Sequence, residues 1–275
     1  MSTEVSPVTN VGTVALVGGG VMGETLLGTL RRAGVSDIVV AEPRADRARE
    51  LSQTYGVTTA PAAEAVRGAS LVLLLVKPQI MADVVADIAA TVEPDALVVS
   101  FAAGLRIDTI AAQLPETVRV MRVMPNTPAS IGQGMFGVSP GPGVTAEDLA
   151  MMTGVLAHGG RSVVIDESRQ EALTAVSGSG PAYVFYLAEA MIAAGIELGL
   201  DADTASELTQ QTLVGAAALL AQSPDGPAEL RRQVTSPNGT THAAITTFDE
   251  HGVAAGVRAG MAACVARAVE LAEGP

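Results

Sequence analysis

The chain has 275 residues, of which 48% are hydrophobic, and its formal net charge is −13. This length predicts one large or two medium domains, and the acidic balance argues against nucleic acid or an anionic membrane as a partner, because phosphate binding needs basic patches. The single cysteine, Cys264, leaves no basis for a disulfide framework or a cysteine-based metal site, as expected of a cytoplasmic protein. The N-terminus lacks the basic and apolar segments of a secretory signal, and no apolar run is long enough to span a bilayer.

Short β-branched runs alternate with helical runs from residue 11 to residue 168, after ten residues that we expect to be disordered. Strands are predicted at 14–17, 37–41, 71–76, 97–101, 118–123 and 161–165, and helices at 22–33, 45–55, 80–90, 107–114 and 145–157. This α/β alternation predicts a Rossmann-type, doubly wound and mostly parallel sheet with helices on both faces. The glycine-rich stretch from Ile131 to Gly143 is predicted to be a mobile loop.

The strand signal ends near residue 170, and residues 169–275 are predicted to form an all-α domain. Helices are predicted at 182–198, 203–222, 228–233, 240–251 and 253–270. Several are apolar around most of their circumference, for example G-A-A-A-L-L-A at 215–221, and such a helix must be buried on all sides. This favours a dimerisation domain, with a self-contained helical bundle as the alternative.

A G-x-G-x-x-G motif follows the first strand directly and opens the first helix. Gly18 suits a tight turn, Gly20 allows a pyrophosphate to approach the backbone, and Gly23 allows the helix to pack on the sheet. In this context the motif predicts dinucleotide binding, with a purely structural glycine turn as the alternative.

The end of the second strand leaves the choice of dinucleotide open. Glu42 stands where an acidic residue takes the ribose 2′-hydroxyl of NAD. Arg44 and Arg47 follow at once and suit the 2′-phosphate of NADP, unless they are simply the solvated start of a helix. Lys77, the only lysine, follows strand 71–76 and is predicted on the cofactor side, unless arginine has merely replaced lysine elsewhere.

Residues 234–241, V-T-S-P-N-G-T-T, place hydroxyl groups beside a Pro-Asn-Gly turn at a predicted helix N-terminus. Free backbone N–H groups and the positive end of the helix dipole suit a small carboxylate there. The alternative is an ordinary Ser/Thr N-cap.

Taken together, the motifs V-G-G-G-V-M-G, L-V-K-P, S-F-A-A-G, R-V-M-P-N-T-P, A-V-S-G-S-G-P-A-Y and V-T-S-P-N-G-T-T resemble those of pyrroline-5-carboxylate reductase, in that family's order. The resemblance implies reduction of 1-pyrroline-5-carboxylate to L-proline with NADP(H), or alternatively NAD(H), as the last step of proline biosynthesis. It implies helices that interlock into a dimer, and dimers that often build a decamer.

The resemblance also implies which residues bind. On the cofactor side these are Val17, Gly18, Gly19, Gly20, Val21, Met22, Leu75, Val76, Lys77, Pro78, Ala102, Ala103 and Gly104, with Glu42 and Arg44 at the ribose end. On the substrate side they are Glu167, Ser236, Thr240 and Thr241. The family has Pro-Gly-Gly where this chain has Pro237-Asn238-Gly239, and asparagine tolerates the left-handed conformation that such a turn needs.

Hydride transfer to the imine depends more on positioning of the substrate than on a strong acid of the enzyme, because a cyclic imine can arrive already protonated. We predict that Ser236 and the N–H groups of Asn238, Gly239 and Thr240 bind the carboxylate, and that the catalytic Thr241 hydroxyl faces the ring nitrogen. Ser177, Gly178, Ser179 and Gly180 are predicted to form the opposite wall, or alternatively to cap a helix that begins near Pro181. Glu167 is predicted to receive the ring N–H or to orient a water, with an exposed loop acid as the alternative.

Two other classes remain open. A β-hydroxyacid dehydrogenase would need a lysine in the helical half, and no lysine follows Lys77; an imine reductase is a related possibility. A redox-sensing dinucleotide-binding protein would not need the hydroxyl-rich segment 234–241.

Overall fold

The structure, a computed structural model, describes Val8 and residues 11–273. The chain forms two compact units: one runs up to Ser179 and also takes in the chain from Cys264 onward, and the other is Gly180–Ala263. Apart from Val8, whose N–H donates to the carbonyl oxygen of Ala33 (3.0 Å), the segment predicted to be disordered lies outside the described residues. The boundary at residue 168 stays a prediction.

The first unit is built on one eight-stranded sheet. Its strands are β1 (Val14–Val17), β2 (Ile38–Ala41), β3 (Thr58–Thr59), β4 (Leu71–Leu74), β5 (Leu97–Ser100), β6 (Arg119–Met124), β7 (Gly134–Pro140) and β8 (Gly160–Val164). They lie in the order β3-β2-β1-β4-β5-β6-β7-β8, and every neighbouring pair is parallel except β6 and β7. The predicted doubly wound, mostly parallel sheet is therefore confirmed.

Helices cover both faces of this sheet. They are α1 (Val21–Arg32), α2 (Ala45–Tyr55), α3 (Ala62–Ala65), α4 (Pro78–Ile88), α5 (Ile107–Ala111), α6 (Ala146–Ala157) and α7 (Gln170–Leu173). Val14 and Leu16 of β1 belong to one apolar core, and Ala15 and Val17 belong to the other. Since both faces are buried, these strands are continuous apolar runs rather than alternating ones.

The prediction of a mobile loop from Ile131 to Gly143 is wrong, because most of this segment is the buried strand β7. Its glycines allow close packing and do not mark mobility. A Cβ atom on Gly134 would lie 2.6 Å from Ala129 Cβ, and one on Gly137 would overlap the Leu173 side chain. The short elements β3 and α3 were also not predicted.

This packing predicts that Gly134→Ala lowers the free energy of unfolding by roughly 1–3 kcal/mol, since the added methyl group meets backbone atoms that cannot move aside. Gly28→Ala is the matched control, because it lies within α1 and its Cβ would lie no closer than 3.4 Å to its neighbours. Denaturant unfolding of both variants tests this. Equal stability of Gly134→Ala and the wild type would contradict the packing argument.

The second unit is helical. It contains α8 (Gly180–Glu197), α9 (Ala202–Gln222), α10 (Pro227–Gln233), α11 (Thr240–Glu250) and the first part of α12 (Val253–Glu273). Its large apolar side chains are widely exposed, as with Phe185 at 62%, Tyr186 at 76% and Leu198 at 86%. A surface of this kind indicates an interface with another chain.

Among the described residues, no single helix is long and apolar enough to cross a membrane. Only the bent pair Thr240–Glu250 and Val253–Glu270 passes, on length and composition alone.

Candidate active site

Five loops meet at one edge of the sheet, because β1, β2, β4, β5 and β6 are parallel and their carboxyl ends share that edge. The loops are Gly18–Gly20, Glu42–Arg44, Leu75–Pro78, Phe101–Gly104 and Pro125–Thr127. The strand order reverses between β1 and β4. In open α/β sheets the ligand crevice lies at such a reversal, outside the carboxyl ends of the strands.

The glycine turn has the geometry that a pyrophosphate requires. Gly18 has φ of +106°, and a Cβ there would lie 2.8 Å from the Leu75 carbonyl carbon. A Cβ on Gly23 would overlap the Gly18 carbonyl oxygen, whereas one on Gly20 would meet nothing within 4 Å. No side chain caps α1 at Gly20. Free N–H groups and open space therefore coincide where an anion would bind.

Glu42 is held at this turn. Its carboxylate accepts hydrogen bonds from Gly19 N–H (3.1 Å), from Arg44 N–H (3.0 Å) and from Arg44 Nε (2.9 Å). Burial acts to raise the pKa of the Glu42 carboxyl, but the hydrogen bonds from Arg44 and Gly19 outweigh it, so the pKa is lowered. Glu42 is thus a carboxylate at neutral pH, directed at the place where the adenosine ribose binds in this fold.

The side chains of the two arginines after Glu42 differ in their exposure and in the number of protein groups they bind. The Arg44 side chain is 62% exposed. Arg47 donates from Nε to the Gly19 carbonyl oxygen (2.9 Å) and pairs with Glu24 and with Glu50 (2.7 Å). Arg47 is thus committed to several protein groups, whereas Arg44 is paired with Glu42 (2.9 Å) and keeps most of its side chain exposed.

The loops after β4 and β5 flank the same crevice. Lys77 is exposed and stands at the N-cap of α4. In the loop after β5, Ala102 N–H donates to Ser100 Oγ (3.3 Å), and Gly104 takes the left-handed conformation with φ of +73°. Both segments therefore lie at the carboxyl edge of the sheet, and their place beside the nicotinamide stays a prediction.

The predicted substrate wall is not a loop before a helix start. Thr174–Gly178 is a π-helical turn that leads from α7 towards α8, and Ser179 N–H donates to the Thr174 carbonyl oxygen (2.8 Å). Helix α8 begins at Gly180, so Pro181 lies in its first turn, near the predicted helix start. The roles of these residues as a substrate wall or as a helix cap stay predictions. π-Turns inside helices are frequent at functional sites.

Asn126 joins the π turn to the edge of the sheet, and no role was predicted for it from the sequence. Its Nδ2 donates to the carbonyl oxygen of Ser177 (3.2 Å) and to Ser177 Oγ (3.3 Å), while its Oδ1 accepts from Met135 N–H (2.8 Å). The wall predicted at residues 177–179 is thereby held beside the cofactor loops. The sequence signals were its place in the motif R-V-M-P-N-T-P and a polar side chain two residues after a buried strand.

Glu167 is part of a buried charge cluster. Its Oε1 accepts from Ile107 N–H (2.7 Å) and lies 3.5 Å from Arg122 Nη1, while Arg122 Nη2 lies 3.2 Å from Glu171. Arg122 is only 2% exposed. The alternative of an exposed loop acid is therefore wrong. An open pocket of about 870 Å³ lies against Glu167, between α5 and the ends of β7 and β8.

The segment V-T-S-P-N-G-T-T, in the second unit, keeps its turn despite the asparagine. Asn238 takes the left-handed conformation with φ of +62°, as predicted. Gly239 is the N-cap of α11, and no side-chain hydrogen bond caps the helix. The Ser/Thr N-cap alternative is therefore wrong, and the N–H groups of the first turn stay available. Thr241 is half-buried, while Ser236 and Thr240 are exposed.

Relatives of known activity match nearly the whole chain. The pyrroline-5-carboxylate reductase of Pseudomonas aeruginosa is 42% identical over 94% of this chain and 97% of its own length. This chain belongs to the pyrroline-5-carboxylate reductase family. The reductases of Mycobacterium tuberculosis and Escherichia coli are 38% and 34% identical, each over 94% of this chain and over 96% and 98% of their own lengths.

Family models and solved structures agree with this assignment. The pyrroline-5-carboxylate reductase dimerisation family matches residues 167–271, and an NADP oxidoreductase, coenzyme F420-dependent family matches residues 13–104. The pyrroline-5-carboxylate reductase of Coxiella burnetii has a TM-score of 0.87 and 32% identity, and the alignment covers 95% of this chain and 99% of that one. The dimerisation match and the exposed apolar helices together indicate that the protein self-associates.

Proposed function

We propose that this protein reduces 1-pyrroline-5-carboxylate to L-proline, the last step of proline biosynthesis. The observation that carries the proposal is the 42% identity to a reductase of that name over 94% of the chain. The open glycine turn at the sheet edge supports it, because Gly20 leaves room and free N–H groups for a dinucleotide pyrophosphate.

The substrate carboxylate is proposed to bind at the start of α11. Ser236 and the N–H groups of Asn238, Gly239 and Thr240 hold it there, and the positive end of the helix dipole offsets its charge. The absence of a side-chain cap on Gly239 supports this role. The Gly239 N–H itself donates to the Ser236 carbonyl oxygen (3.0 Å), so it must be shared with the carboxylate or leave that bond.

The remaining groups orient the ring. The bound nicotinamide supplies the hydride that reduces the C=N bond. The imine enters as the protonated cation, and the Thr241 hydroxyl accepts a hydrogen bond from its ring N–H. Ser177, Gly178, Ser179 and Gly180 form the opposite wall, and Glu167 receives the ring N–H of proline or orients a water.

NADP(H) is the proposed cofactor, and NAD(H) is the alternative cofactor for the same site. The match of residues 13–104 to an NADP oxidoreductase family supports NADP(H), as does Arg44, which is 62% exposed. Val17–Met22 hold the pyrophosphate, and Leu75–Pro78 and Ala102–Gly104 flank the nicotinamide. The carboxylate of Glu42 works against a 2′-phosphate and in favour of a 2′-hydroxyl.

Glu42→Ser should therefore raise the ratio of kcat/KM with NADPH to kcat/KM with NADH by roughly tenfold, because a like charge beside the 2′-phosphate is removed. Steady-state kinetics with both cofactors measure this ratio. Glu50→Gln removes the same charge from α2 at a side chain that is 59% exposed, and it should leave the ratio within about twofold. An unchanged ratio in Glu42→Ser would show that Glu42 does not discriminate.

The protein is proposed to work in the cytoplasm without a nucleic acid or membrane partner. Its net charge of −13 supports this proposal. The helical domain, proposed as residues 169–275, forms dimers, and the dimers build a decamer. Sedimentation analysis measures the assembly, and a species no larger than a dimer at all concentrations would disprove the decamer.

Oxidation of NADPH in the presence of 1-pyrroline-5-carboxylate tests the function directly. Proline formation should match NADPH consumption, and a β-hydroxyacid should not replace proline as the hydride donor in the reverse reaction. A purified, dinucleotide-binding protein that shows no turnover of the imine would disprove the proposed activity.

A further inference from the structure

We propose that Asn126 is a positioning residue for the substrate: its side-chain amide fixes the π turn Thr174–Gly178 at the carboxyl edge of the sheet and so sets the place of the wall at residues 177–179. This inference rests on the proposed function, because it concerns how the substrate is held.

The π turn needs a donor from outside the helix. In a regular helix the N–H of residue 181 would donate to the carbonyl of Ser177, four residues earlier. Residue 181 is proline, which has no N–H, and Asn126 Nδ2 takes this place at 3.2 Å from the Ser177 carbonyl oxygen. The Ser177 hydroxyl oxygen lies 3.3 Å from the same nitrogen. One amide group therefore fixes both the backbone and the side chain of Ser177.

The other end of the Asn126 side chain is also fixed. Its Oδ1 accepts from Met135 N–H of β7 (2.8 Å), and its backbone carbonyl accepts from Ala129 N–H (3.2 Å). With both ends bonded, the amide has one orientation, with Nδ2 towards the π turn. Asn126 thus couples the carboxyl edge of β6, the start of β7 and the π turn.

The turn also packs tightly on the strand that leads to Asn126. A Cβ on Gly178 would lie 2.7 Å from Cε of Met124, the last residue of β6. Strand β6 lies next to β5, whose loop Phe101–Gly104 flanks the cofactor crevice. A shift of Ser177 therefore moves the substrate wall relative to that loop, while the glycine turn after β1 stays unchanged.

Asn126→Asp separates the hydrogen bonds that the Asn126 side chain donates to Ser177 from the one that it accepts from Met135. The aspartate keeps an acceptor for Met135 N–H but offers no proton to Ser177. We expect the KM for 1-pyrroline-5-carboxylate to rise about tenfold, with the KM for NADPH within about twofold of the wild type, because the cofactor loops are not touched. Asn126→Ala should likewise raise the KM for 1-pyrroline-5-carboxylate while leaving the KM for NADPH nearly unchanged.

Gln170→Ala is the matched control. Gln170 is a buried amide of α7 whose Nε2 donates to the Gly137 carbonyl oxygen (3.1 Å) and to Ser139 Oγ (2.9 Å), so it also ties this helical segment to β7. Its side-chain amide donates to β7 and not to the π turn, while its backbone carbonyl, which the substitution keeps, accepts from Thr174 Oγ1 (2.8 Å). This variant should lose stability yet keep both KM values. Wild-type KM for the imine in Asn126→Asp, or an equal rise in Gln170→Ala, would overturn the positioning role.

Amide hydrogen exchange provides a readout that does not depend on activity. The Ser179 N–H, bonded to the Thr174 carbonyl, should exchange faster in Asn126→Asp than in Gln170→Ala. If the wild type turns over no 1-pyrroline-5-carboxylate but this exchange difference is present, the proposed function fails while Asn126 still holds the turn. If the wild type is active and the exchange rates of the two variants are equal, the inference about Asn126 is wrong.

Discussion

Replacement of Thr241 by alanine is expected to lower kcat/KM for 1-pyrroline-5-carboxylate by roughly ten- to a thousandfold, equivalent to about 1.4–4 kcal/mol of transition-state stabilisation. Its hydroxyl is the group proposed to meet the ring N–H of the imine. Thr241 is half-buried, in the first turn of α11. Steady-state kinetics at saturating NADPH measure the loss.

Two variants control for a general effect on α11. Thr241→Ser keeps the hydroxyl and should retain most of the activity. Thr247→Ala removes a hydroxyl from the same helix, where Thr247 Oγ1 donates to the Ala243 carbonyl oxygen (3.0 Å), and it should leave kcat/KM within about twofold. Activity of Thr241→Ala within twofold of the wild type would remove Thr241 from the mechanism.

Arg122→Met is expected to lower the free energy of unfolding by roughly 3–5 kcal/mol, because it leaves two carboxylates without their buried cation. Arg122 is 2% exposed and lies between Glu167 (3.5 Å) and Glu171 (3.2 Å). Denaturant unfolding measures the loss, at one fixed protein concentration because the chain self-associates.

A rescue variant and a surface control complete this test. Adding Glu171→Gln and Glu167→Gln to Arg122→Met removes the uncompensated charges and should restore part of the stability. Arg267→Met removes an arginine whose side chain is 67% exposed and paired with Glu270, and it should cost less than about 1 kcal/mol. Equal losses for Arg122→Met and Arg267→Met would show that the buried cluster does not stabilise the fold.

Much of the fold follows from local sequence patterns. The strands that begin at Val14, Leu71 and Leu97 are apolar runs bounded by turn residues. Their observed ends lie within a few residues of the predicted ones. The helical half follows in the same way from its apolar periodicity. The prediction for the segment at β7 failed because its glycines resemble those of a loop, whereas Gly134 and Gly137 make room for Gly159 and Leu173, which are distant in sequence.

For the candidate site, too, local features were predictable from the sequence and long-range contacts were not. The glycine turn, the left-handed Asn238 and the family were available from the sequence, since backbone conformation and motif order are local properties. The binding roles of the cofactor and substrate residues remain predictions. Only the tertiary structure decided that Glu42 accepts hydrogen bonds from Gly19 and Arg44, and that Arg122 lies between two carboxylates. It also decided that Asn126 donates to the carbonyl of Ser177, in the π turn before Pro181. Each of these depends on contacts between elements far apart in the chain, and side-chain hydrogen bonds of that range leave no periodic signal in the sequence.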